Sequence, residues 1–311
     1  MRDHPDFEFE RFREMLLTIF HPMNEHFLTN HNGAVITNYW ANWDLCNMAS
    51  VLAIGIFADR DDLVDRAVTY FQSGAGNGSL PKALPYVYED EGLAQWQESG
   101  RDQAHSIMGI GLMGAFCEMA WSQGVDCYGH DNNRFLKAAE YVAKYNLGHD
   151  VPFTPYTWQS GPLSTASHAG WRTQTIPGEG GRGQGRPVWD QVLGHYSGRK
   201  GLSTPWVSQI AATQRPDGGG GDYGPNSGGY DALGFGTLMQ HPAQTGRRIS
   251  RLQSFNVPDR YVRHAGSTVR LTSFRSHNYP GRYIRHQNYG LSLKPIANDL
   301  DRADATYRMV D

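Results

Sequence analysis

Apolar residues recur at intervals of three and four along most of the first 240 positions, and short alternating runs replace them afterwards. Helical periodicity runs from 38 to 58, stops at the acidic turn DRDD, and resumes through Phe71 until SGAGNGS ends it. That pair is an αα-hairpin. Segments 104–124 and 133–145 make a second hairpin, joined by the turn-rich VDCYGHDN. The opening MRDHPDFEFERFREMLLTIF reads as an amphipathic helix already under way, so the chain is expected to begin inside a longer domain. Residues 189–196, within RPVWDQVLGHYSGRKGL, are again helical in pattern. Repeated pairs with one apolar and one amphipathic member predict a mainly α domain over 1–240, an incomplete α/α toroid lacking its first helices.

The stretch QWQESGRDQAH, 95–105, leads into the apolar segment 106–121. Continued as one helix, it places Gln97, Arg101 and His105 on one stripe with Glu98 beside Arg101, so that polar first turns face a cleft. Gly109, Gly111 and Gly114 lower helix propensity but let neighbours come close. From 152 to 185 the pattern lapses into a glycine-rich, aromatic stretch, and loops of that length in compact domains are usually functional or disordered. Residues 241–250, HPAQTGRRIS, read as a linker to a tail over 251–311. In that tail SFNVPDRYVRH, 254–264, recurs as SHNYPGRYIRH, 276–286, with Asn, Pro, Arg, Tyr, Arg and His in register. Each copy sets a turn before a short alternating strand, the pattern of an all-β repeat.

A net charge of −3 gives no electrostatic case for nucleic acid, and without a run of 18 apolar residues no membrane span is expected. Cys46, Cys117 and Cys127 are too few for a framework of bridges and read as free thiols. His21 and His26 stand five apart, no HExxH or paired-cysteine motif occurs, and GGGGDYGPNSGG lacks the Lys-Ser/Thr ending of a phosphate loop. No metal and no other cofactor is expected.

The tail, roughly 248–310, resembles the arabinofuranose-binding β-trefoil module of α-L-arabinofuranosidases of the B type, on NVPDRYVRH, NYPGRYIRHQNYGLSL and DRADATYR. The resemblance implies a sugar pocket in which His286 pairs with Asp304, helped by Tyr283 and Asn288. The first copy offers His264 with no DAT motif before the second begins, and a trefoil needs three repeats, so a partial trefoil is expected. Residues 10–240 look like the helical domain of alginate lyase-like polysaccharide lyases, on NHNGAVITNYWANWDLCNMAS, QWQESGRDQAH, AWSQGVDCYGHDNNRFLKAAEYVAKYN and RPVWDQVLGHYSGRKGL. That resemblance implies β-elimination on an acidic polysaccharide and an extracellular setting, with arabinofuranose-containing glycans as a second partner. One departure stands out: such lyases often carry a His next to the aromatic pair, where this chain has Thr37 or Asn38.

Elimination requires neutralising a carboxylate while a proton leaves the neighbouring carbon, then a base, and an acid for the departing oxygen. Asn38 and Arg101 are the candidates for neutralisation, with Gln97 and Gln103 as polar support. His105 is the candidate base and Tyr196 the candidate acid, with His195 and Tyr156 as alternatives. Arg199 is a second cation able to act on a tyrosine, and Trp43, with Trp40, Trp96 and Trp158, is a candidate sugar platform. Tryptophans at helical spacing are more often core. Two rival readings remain, a glycoside hydrolase using two carboxylates such as Glu98 with Asp102 or Asp222, and a non-catalytic carbohydrate-binding or truncated protein.

Overall fold

The computed structural model describes residues 6–165, 170–217, 232 and 234–240, and, in the tail, the backbone of 251–254, 261–262, 271–273, 283–287, 290–294 and 306–310. The chain divides into two compact units, Met1–Pro242 and Ala243–Asp311.

The first unit is mainly helical. An opening run consists of α1 (Phe9–Met15), a wider π turn (Leu16–Phe20) and α2 (His21–Asn30). It packs along α3 (Ala41–Ala58), which pairs with α4 (Asp61–Ser73) as the predicted hairpin. The hairpin turns at Asp59, whose φ of 54° lies in the left-handed region, and Asp61 and Asp62 load the first turn of α4 with the charge that its dipole favours. Gly55 makes the crossing tight, because a Cβ there would stand 3.0 Å from Leu63 Cβ. Among the described residues α3 alone has the length and hydropathy to cross a bilayer, yet Leu45, Met48, Val51 and Leu52 are fully buried against its neighbours, which is how a core helix behaves.

After the short α5 (Leu80–Ala83), β1 (Tyr86–Tyr88) and β2 (Leu93–Gln95) form an antiparallel ribbon. Then α6 (Gln103–Ser122) and α7 (His130–Asn146) make the second predicted hairpin. Where the sequence pattern suggests loop, β3 (Tyr156–Gln159) and β4 (Trp171–Gln174) pair antiparallel. Next come α8 (Trp189–Leu193), continued by a π turn (Gly194–Arg199), then α9 (Pro205–Gln214) and α10 (Gly236–Met239). A single apolar core joins α2, α3, α4, α6, α7, α8 and α9.

The helical stripe expected for Gln97, Arg101 and His105 is corrected. Helix α6 starts only at Gln103, because Asp102, in extended conformation, caps it by accepting the His105 amide at 2.8 Å. Residues 97–101 are a tight turn, closed by the Arg101 amide donating to Glu98 O at 2.8 Å.

In the second unit the described residues are strands: β5 (Arg251–Ser254), β6 (Tyr261–Val262), β7 (Leu271–Ser273), β8 (Tyr283–Gln287), β9 (Gly290–Lys294) and β10 (Thr306–Val310). Four form an antiparallel sheet in the order β6-β5-β10-β7, and β8 pairs with β9 as a hairpin.

Candidate active site

The turn between β2 and α6 is fixed by the start of α3. A helix leaves its first amides without internal partners. Here Gln97 Oε1 accepts the Ala41 amide and Glu98 Oε1 accepts the Asn42 amide, both at 3.1 Å. Gln97 and Glu98 are buried, so the two N-terminal donors of α3 are satisfied from another part of the chain. Burial pushes the Glu98 carboxyl up to about 7, opposed by the charge of Arg101, the Asn42 amide and the charge of His105.

From that anchor three polar side chains, Arg101, Asp102 and His105, project in order. Arg101 Nη1 donates to Glu98 Oε2 at 2.9 Å, and its Nε lies 3.4 Å from Asp102 Oδ2. The guanidinium stays 28% exposed and stands over the Trp40 ring, 5.3 Å from its centroid. Both Asp102 oxygens lie within 2.9 Å of His105 Nδ1. Burial alone would raise the Asp102 carboxyl, but hydrogen bonds from the His105 ring and amide, with the charges of His105 and Arg101, hold it below the usual carboxylate range. An ionised carboxylate only accepts, so Nδ1 carries a proton, and in the neutral tautomer of His105 that leaves Nε2 as a bare acceptor. No hydrogen bond is made by that nitrogen among the described residues.

Beside this row stands an aromatic wall. The Trp40 and Trp158 rings are 4.8 Å apart, and Trp158 stacks on Tyr156 at 5.8 Å and 16°. The Tyr156 hydroxyl accepts from Gln97 Nε2 at 3.2 Å, and burial outweighs that bond to raise its pKa, so it holds its proton. Asn38 Oδ1 accepts the Gly161 amide at 2.7 Å, tying the residue before Tyr39 to the end of β3, and its Nδ2 has no partner among the described residues. Thr37, the other residue at that position, is bonded on both sides to the backbone of Gln159.

Other sequence candidates fall elsewhere. Gln103 is buried and wholly engaged, donating to Ser99 O and Gly178 O and accepting from Asn146 Nδ2. It braces the turn, and its assignment to substrate is corrected. His195, Tyr196 and Arg199 gather at the opposite end of α6: Tyr196 is fully buried and donates to Tyr128 O, His195 stacks on Tyr128 at 3.8 Å, and Arg199 pairs with Glu118. Glu118 is thirteen residues beyond His105, about 20 Å along a helix. A His105–Tyr196 base and acid pair is therefore excluded by geometry, and Arg199, paired with Glu118, lies away from Arg101 and the Tyr156 ring. Burial and the Arg199 charge press His195 down to about 4, so it stays neutral. Trp96 is core, its indole filling the space left by Gly109, where a Cβ would stand 2.1 Å from the ring. Trp43 is 48% exposed, in a separate patch with Tyr39 and Phe27.

Sequence reasoning weighed Asp102 only as half of a hydrolase pair. That pairing is disfavoured, because Glu98 caps α3 and Asp102 caps α6 while both hold cations; Asp222 lies outside the described residues. The real signal was the spacing of Asp102 and His105, an N-cap and the residue whose amide it takes. Arg172 on β4 was missed altogether, having no local periodicity to mark it. Among the described residues no group of three or more His, Cys, Asp or Glu is placed to hold a metal ion.

Residues 14–151 match the alginate lyase family model, and residues 266–309 match the alpha-L-arabinofuranosidase B (ABFB) domain. The chain thus carries a segment similar to alginate lyases followed by one similar to the arabinofuranosidase B domain, the two-part architecture that the sequence resemblance implies. No curated protein and no solved structure matches it. The first match takes in Asn38, Trp40, Gln97, Arg101, Asp102 and His105 and stops before Tyr156, Trp158 and Arg172. The second spans the later repeat copy and excludes the earlier one. Tyr283 and His286 lie on β8, while Asn288 and Asp304 fall outside the described residues.

Proposed function

We propose that the helical unit is a polysaccharide lyase that cleaves a uronic-acid polymer of the alginate or glucuronan type by β-elimination. The observation that carries this reading is the Arg101–Asp102–His105 row, a guanidinium beside an imidazole whose free Nε2 faces away from its carboxylate partner. Arg101 and the Asn38 Nδ2 donor would take the uronate carboxylate and stabilise the enolate-like charge that develops on it. His105 Nε2 removes the proton from the carbon next to that carboxylate. The electron pair forms the new carbon–carbon double bond as the glycosidic bond breaks. The departing oxygen receives the Tyr156 hydroxyl proton, a role in keeping with a phenol that burial keeps protonated. Trp40 and Trp158 would carry the sugar faces.

On this reading the helical hairpins are part of an α/α toroid and the tail is a partial β-trefoil. Its pocket of Tyr283, His286, Asn288 and Asp304 would hold arabinofuranose side chains, placing the protein outside the cell on wall polysaccharide. The test is near-ultraviolet absorbance during incubation with polymannuronate, polyguluronate, glucuronan and pectate. A rise marks the conjugated product, and Arg101→Ala should lower its rate by about 10²-fold or more. New reducing ends without absorbance would instead mean hydrolysis, and binding without turnover a carbohydrate-binding protein. Undiminished rates in Arg101→Ala would remove the site assignment.

A further inference from the structure

We propose that Arg172 is a second carboxylate reader, so that the site recognises two uronate residues on one chain; this rests on the lyase reading of Arg101. Strand register sets Trp158 opposite Arg172 and Tyr156 opposite Gln174. Directly opposed residues of an antiparallel pair share a face. The Thr157 and Thr173 hydroxyls, 2.9 Å apart, occupy the other face. Arg172 therefore rises from the side of the ribbon that bears the aromatic wall, with Trp40 and Trp158 between it and Arg101.

Its electrostatic setting differs from that of other arginines in the helical unit. Arg101, Arg134, Arg182, Arg199 and Arg215 each pair with a carboxylate. Arg172 is exposed and has no ion pair among the described residues. Its Nε donates to Ser160 Oγ at 2.9 Å, which holds the planar group, and its terminal nitrogens make no hydrogen bond among the described residues. A half-anchored, unneutralised guanidinium next to stacked rings suits a bidentate grip on a carboxylate. Polyuronates carry one carboxylate on every sugar, so a chain lying on Trp40 and Trp158 with one carboxylate at Arg101 offers another toward Arg172. The hairpin lies beyond the alginate lyase match, which makes this reader a feature of the chain outside the matched segment.

The experiment measures binding of size-defined oligouronates and their carboxyl-reduced counterparts by tryptophan fluorescence, alongside KM and kcat on polymer. Wild type, Arg172→Gln and Arg172→Lys are compared. Arg172→Gln should weaken binding of native oligomers by about tenfold or more. The loss should fall on KM rather than kcat, and reduced oligomers should bind both proteins alike. Arg172→Lys should recover part of the affinity, since it keeps the charge and loses the fork. Unchanged binding of native oligomers to Arg172→Gln, or an equal loss with reduced ones, overturns the proposal while leaving the lyase reading in place. Failure of wild type to bind any oligouronate overturns both.

Discussion

Asp102 accepts the His105 amide as the cap of α6 and, with the same carboxylate, holds the proton of the His105 ring. Asparagine caps a helix about as well as aspartate, but its amide is a poor partner for a ring that must become cationic. Asp102→Asn is therefore expected to melt close to the wild type, while turnover falls by about 10²- to 10⁴-fold, as when a histidine base loses its orienting carboxylate. Thermal melts beside initial absorbance rates check this, and retained turnover would reduce Asp102 to a cap. Residue types were legible in the sequence, since Arg101, His105, Asn38 and Tyr156 all come together around the aromatic wall. Their partners were not. Spacing in sequence does not reveal that one helix carries His105 at its start and the ring cluster of Tyr128, His195 and Tyr196 toward its far end.

Among the described residues two helices are capped from elsewhere by a buried glutamate. Glu98 serves α3, and Glu140 accepts the Trp206 and Val207 amides at the start of α9. Neither cap is readable from the sequence flanking its helix, which is why the predicted start of α3 lay three residues early and α9 was not predicted. The same long-range dependence hides β3 and β4, whose pairing spans residues 156–174 without alternating polarity on β4. Glu98 also sets a pH dependence. The folded protein retains its proton to about 7, whereas an unfolded glutamate releases it near ~4.3. Between those values the folded state binds more protons, so its stability falls as pH rises through the window. The span corresponds to a loss on the order of 4 kcal/mol. Glu98→Gln retains an acceptor for the Asn42 amide and cannot titrate. The stability of wild type minus that of Glu98→Gln, from denaturant melts, should decline from pH 4.5 to 7. A flat difference would mean that Arg101 keeps Glu98 ionised throughout.

At the scale of the molecule, the repeat copies and the change from helical to alternating pattern make two parts visible in the sequence itself. Helix pairs and strands then form for the ordinary reason of period, 3.6 in one part and 2 in the other. The first unit has a core of its own, so a chain of residues 1–242 is expected to melt cooperatively. If the tail is an arabinofuranose reader, its role is to raise the local concentration of the helical unit on a polymer that bears both sugars. That advantage disappears on a soluble uronate polymer without arabinose. Residues 1–242 and the whole chain should therefore release unsaturated product from such a polymer at equal rates per molecule. On an insoluble, arabinofuranose-substituted polysaccharide the short chain should be washed away while the whole chain is retained, and His286→Ala in the whole chain should behave as the short one does. Equal retention of all three would place glycan recognition in the helical unit and leave the tail without that role.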